Sequence, residues 1–117
     1  MSEPSEIRVW ATTKVEGFHF WKDAPDEVGF LRDRHRHLFG VRVEVVVQHH
    51  DRDVEFIILK RAVDAYLKQF PIDGGESCEA IARRVRDELS TRNGWAVVRV
   101  DVDEDGENGA SVFWSTQ

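Results

Sequence analysis

The sequence predicts a single α+β domain in which four antiparallel strands form one sheet and two helices cover one of its faces. The chain is 117 residues long, which is enough for one modest core. Its apolar residues change period along the chain, from alternation to a three- and four-residue repeat and back. Clusters of glycine, proline and acidic residues punctuate each change, giving the order strand, strand, helix, helix, strand, strand within one domain over residues 1–117.

Ile7 to about Phe20 reads as the first strand, because Val9, Thr12, Thr13, Val15 and Phe18 favour extended chain. It ends in Phe18-His19-Phe20-Trp21. Residues 22–29 hold Pro25, Gly29 and three acids, which predicts a loop. The second strand runs from near Asp33 to about Gln48. His35, His37, Phe39, Val41, Val43, Val45 and Val47 share one parity in it and so one face. Polar residues 49–53 end that strand. Leu59, Ala62, Val63, Tyr66, Leu67 and Phe70 then follow a helical period from Glu55 to Phe70. Pro71 and Gly74-Gly75 stop the helix, and Ser77 is placed to cap a second one. This second helix carries Cys78, Ile81, Ala82, Val85 and Leu89 as one stripe and ends near Asn93-Gly94. Ala96, Val98, Val100 and Val102 alternate in a third strand, and residues 105–109 turn the chain into a fourth, Ala110 to Trp114. The two helices cover one face, so the other face and both edges call for solvent or a neighbour, and a homo-oligomer is expected.

Composition narrows the function. The formal charge of −6 has no basic stripe within it, so a nucleic-acid polymer is not an expected partner. A lone cysteine, Cys78, cannot form an internal disulfide, and the polar opening residues lack a leader-like apolar run, which predicts a cytoplasmic location. No apolar run is long enough to span a bilayer, so no membrane partner is expected.

The chemistry concentrates in histidines. His35 and His37, two apart on a strand, project from one face roughly 7 Å apart at the backbone. Two such rings can converge on one ion, although the same pattern also fits a pair that merely packs. A third nitrogen from His19 on the first strand would complete a three-histidine site and leave a fourth tetrahedral position open, as catalytic zinc requires.

Five motifs in order then resemble one family. Phe18-His19 and His35-Arg36-His37 are similar to the Ala-His and His-Gly-His zinc ligands of the 6-pyruvoyl- and 6-carboxy-tetrahydropterin synthase superfamily. Residues 54–60, Val-Glu-Phe-Ile-Ile-Leu-Lys, resemble the start of its first helix, and residues 77–82, Ser-Cys-Glu-Ala-Ile-Ala, the start of its second. Residues 100–104, Val-Asp-Val-Asp-Glu, look like its third strand, and Ala110 to Trp114 its last. The resemblance implies a tunnelling fold, in which subunits share sheets around a barrel as trimers or pairs of trimers, with active sites at their interfaces. It implies Zn2+ held by His19, His35 and His37. It further implies a small heterocyclic substrate, with Glu104 as the carboxylate clamping the guanidine-like edge of the ring and Ser77, Cys78 and Glu79 lining the same pocket.

The departures from the family matter as much. The synthases carry a cysteine base four residues before the first of the paired histidines, and here that position is Leu31. Residues 69–75 lack the family's Asp-His pair, and Arg36 replaces the central glycine. Proton abstraction with triphosphate elimination therefore lacks its expected base and acid. A zinc-dependent lyase acting on a pterin- or 7-deazaguanine-type ring remains, and decarboxylation of 7-carboxy-7-deazaguanine suits it because that step needs a proton donor, for which Asp33 is a candidate. The alternatives are a synthase-type reaction run by replacement residues, or a binder of pterins or deazapurines without turnover.

Overall fold

The computed structural model describes residues 2–115. Strands β1 (Ile7–His19) and β2 (His35–Val47) pair antiparallel in unbroken register, from Ile7 opposite Val47 to His19 opposite His35. The side chains of β2 fix that register: Phe39, Val41, Val43, Val45 and Val47 are buried, and a slip of one residue would turn Arg42 into their place.

Helix α1 (Phe56–Gln69) starts where the Glu55 carboxylate accepts from the backbone N–H groups of Ile57 and Ile58, at 2.8 and 3.1 Å. It lies over β1 and buries Leu59, Val63 and Leu67. Helix α2 (Cys78–Asn93) follows a two-residue strand β3 (Asp73–Gly74). The Ser77 hydroxyl accepts from Ala80 N–H at 3.1 Å to start α2, and Gly94 ends it in the left-handed region, φ 69°. Its stripe of Ile81, Ala82, Val85 and Leu89 packs on β4 (Ala96–Glu104) and β5 (Asn108–Phe113). The resulting core joins both helices to one face of the sheet, as the change of period predicted.

The sheet has five strands in the order β3-β1-β2-β4-β5, one more than the four expected. The addition, β3, runs parallel to the end of β1 and pairs with Phe18 and His19. Phe18 N–H donates to Ile72 O at 2.9 Å and Phe20 N–H to Gly74 O at 3.1 Å. This close crossing needs Gly17, where an added Cβ would lie 2.8 Å from the Ile72 Cβ. Two paired residues have no period, so the sequence pattern could not reveal them. A second correction falls on the expected loop at residues 22–29, which leads into a 3-10 helix, Asp26–Arg32, broken by non-helical geometry at Val28. A third is a bulge in β4 opposite Glu44 and Val45, which puts Val97 rather than Val98 in the core cluster by inserting one residue into the alternation.

Among the described residues, the other face of the sheet carries no helix. There Glu44, only 7% exposed, sits among Arg8, Arg42 and Arg99, a pairing that offsets the cost of burying its charge. Among the described residues nothing pairs with the outer edge of β5, or with that of β1 from Ile7 to Gly17. No helix there is long and apolar enough to cross a membrane.

Candidate functional site

The β1–β2 register builds the site. His19 closes β1 directly opposite His35, which opens β2, and His37 follows two residues on along the same face. The three rings meet edge to face with centroids 4.5 Å (His19–His35), 4.8 Å (His35–His37) and 5.1 Å (His19–His37) apart. One nitrogen from each lies within 4.8 Å of the other two.

The outer ring nitrogens fix what the inner ones offer. His19 Nδ1 donates to Glu76 O at 3.2 Å, His35 Nδ1 to Asp33 O at 2.7 Å, and His37 Nδ1 to the Asp105 carboxylate at 2.7 Å. A carbonyl or carboxylate oxygen can only accept, so each Nδ1 carries a hydrogen, and in the neutral ring the lone pair then falls on Nε2. The Nε2 atoms of His35 and His37 are buried and have no hydrogen-bond partner. His19 Nε2 faces Glu104 Oε2 at 2.9 Å, and Glu104 Oε1 is 3.8 Å from His37 Nε2. Burial is the largest influence on His19 and pushes its pKa below the ordinary imidazole value, against the upward pull of the Glu76 carbonyl and Glu104. Three lone pairs and a carboxylate in one small space repel unless something cationic lies among them. Three imidazoles whose outer nitrogens are oriented in this way form, when neutral, a donor set that fits a divalent ion such as zinc.

A cleft of about 730 Å3 opens beside the histidines. His19 and His35 line it, together with Phe20, Trp21, Leu31, Glu104 and the first turn of α2. Glu104 is the last residue of β4, opposite Phe39, and so shares the face that carries His37. Ser77, Cys78 and Glu79 all reach this wall, although the Ser77 hydroxyl is already engaged as the helix cap. Cys78 belongs to the core cluster as well, and burial, with Glu104, Glu79 and Asp103 adding to it, pushes its thiol up to about 12. Leu31 gives the cleft an apolar side chain where a thiol base was sought. Asp33 serves the site through its backbone carbonyl, and its exposed carboxylate is not among the cleft-lining groups. Arg34 and Arg36 turn away, to Asp73 and Glu16 respectively.

Two contributors escaped the sequence reading. Asp105 looked like a turn residue only, yet it holds His37. Glu76 acts through its backbone oxygen, while its side chain accepts from Arg84 at 2.8 and 3.0 Å and Arg84 also donates to Phe70 O. A backbone acceptor leaves no trace in residue type. An acid immediately after Glu104 was the available signal for Asp105.

The sequence matches no protein-family model. No curated protein matches it either. By structure, the chain is similar to the Caenorhabditis elegans 6-pyruvoyl tetrahydropterin synthase, with a TM-score of 0.71 at 13% identity, over 98% of this chain and 100% of that one. The chain therefore has the tunnelling fold that the five sequence motifs implied.

Proposed function

We propose that the protein is a zinc-dependent lyase acting on a flat pterin- or 7-deazaguanine-type ring, with decarboxylation of 7-carboxy-7-deazaguanine as its reaction. The observation that carries the reading is the convergence of three Nε2 lone pairs, two of them buried and unpartnered, beside a cleft that Glu104 enters. His19, His35 and His37 would hold the ion. Zinc, when bound, supplies a Lewis acid to orient and polarise a ring carboxylate.

The chain's own residues supply the remainder. Glu104 can accept two parallel hydrogen bonds from a guanidine-like ring edge. Phe20 and Trp21 offer aromatic faces to a flat ring. Loss of carbon dioxide breaks the bond from ring carbon to carboxyl carbon and leaves the electron pair on the ring carbon, which then takes one proton. Cys78, which keeps its proton at neutral pH and lines the cleft, is one donor candidate; Asp33 is the other, although its exposed carboxylate lies outside the cleft lining. No base is needed, in keeping with Leu31.

A second reading, a binder of pterins or deazapurines without turnover, draws on the same leucine. We further propose that the free edges of β1 and β5 pair between copies, as trimers or pairs of trimers, placing the cleft at a subunit interface. The test is incubation of the zinc-loaded protein with 7-carboxy-7-deazaguanine as free base, nucleoside and nucleotide, followed by mass spectrometry. Loss of carbon dioxide from one form supports the lyase. No loss from any form, with tight binding of the ring, favours the binder.

A further inference from the structure

We infer that Asp105 is a positioning residue for the metal site, fixing the tautomer and aim of the His37 ring. The inference rests on the reading of the three histidines as metal ligands. Asp105 follows the clamp residue Glu104 in the turn between β4 and β5, with φ 58°, and Gly106 follows at 73°. Glu107 N–H closes this turn on Glu104 O at 3.1 Å. Asparagine, aspartate and glycine are the residues that tolerate such backbone, so the position admits few side chains, and a carboxylate is one.

Three bonds join Asp105 to the histidine strand. Its N–H donates to Leu38 O at 2.8 Å, and its Oδ1 accepts from Leu38 N–H at 2.8 Å. Oδ2 is thereby turned to His37 Nδ1, 2.7 Å away. The peptide pairing with Leu38 locks the carboxylate, and the carboxylate locks the ring. With both oxygens accepting, no hydrogen is available to give to Nδ1, so the hydrogen must sit on Nδ1 and the neutral tautomer of His37 has its lone pair on Nε2, the atom that is buried without a partner. The two neighbouring histidines are held by backbone carbonyls, which leaves Asp105 as the side chain that performs this task. A carboxylate behind an imidazole also raises its basicity as a ligand.

Asp105→Asn and Asp105→Gly test this, because both suit the left-handed turn. Asparagine is nearly isosteric but has one accepting oxygen, so it cannot serve Leu38 N–H and His37 Nδ1–H together. Zinc affinity, read by competition with a chromophoric chelator, is expected to fall by about 10- to 100-fold in both variants. Long-range proton–nitrogen spectra of the metal-free protein should place the His37 hydrogen on Nδ1 in the parent and shift it toward Nε2 in Asp105→Asn. Thermal unfolding of the metal-free forms separates a folding defect from a site defect. Parent-like affinity and an unchanged His37 tautomer in both variants would overturn the inference. A parent that takes up no zinc would instead overturn the metal reading, while the tautomer measurement still decides what Asp105 does.

Discussion

Burial decides what Cys78 can do. A thiol with a pKa of about 12 is almost wholly protonated at pH 8, so its native alkylation by iodoacetamide should be about 10^3-fold slower than that of the unfolded chain. Native modification at the unfolded rate would show that the thiol is not held this way. The sign of the pH effect follows. The folded chain keeps this proton to about 12 and the unfolded chain loses it near 9, so stability falls as pH rises between those values. In Cys78→Ala that part of the alkaline loss should disappear from urea-unfolding curves. For His35, removal of one lone pair of three should lower zinc from near one ion per chain to little after dialysis against a weak chelator, measured by elemental analysis on parent and His35→Ala. Retained zinc in the variant would mean that His35 is not a ligand.

Among the elements, the connector from α1 to α2 is the least regular and carries the most consequence. Gly17 lets it cross β1, so Gly17→Ala must separate β1 from Ile72, which is fully buried. The expected cost is about 1–3 kcal/mol in urea unfolding. Zinc binding should weaken as well, because His19 lies two residues further along the displaced strand. Ser77→Ala removes one accepted N–H at the start of α2 and should cost about 1 kcal/mol. The helices themselves were legible from residues 55–94, since their caps and stripes are local. The strand β3 and the bulge at Val98 were not, since both depend on which chain segment arrives alongside.

At the scale of the molecule, one face of the sheet is sealed by helices and the other is not. Trp10, Leu38 and Phe113 are exposed on or beside the uncovered sheet, at 53%, 38% and 62%. Two open strand edges and this apolar surface predict self-association, and light scattering on a sized sample should give a mass of three or six times 13.5 kDa. A monomer at micromolar concentration would remove the edge-pairing proposal, and with it the interfacial cleft.

The sequence by itself determined the succession of strands and helices, the face of β2 that is buried, and the shared face of His35 and His37. Period, caps and strand parity operate within a few residues, so they are written in the local order of side chains. The histidine triad was anticipated because His19 stands in a motif. Tertiary structure alone decided that His19 lies directly opposite His35, that Asp105 reaches His37 across 68 positions of chain, and that two backbone carbonyls hold the remaining rings. These contacts arise from strand pairing and turn geometry, in which distant backbone segments meet whatever their side chains are. They fix the Nε2 atoms in place, and so the arrangement of the site depends on the fold as much as on the residues that compose it.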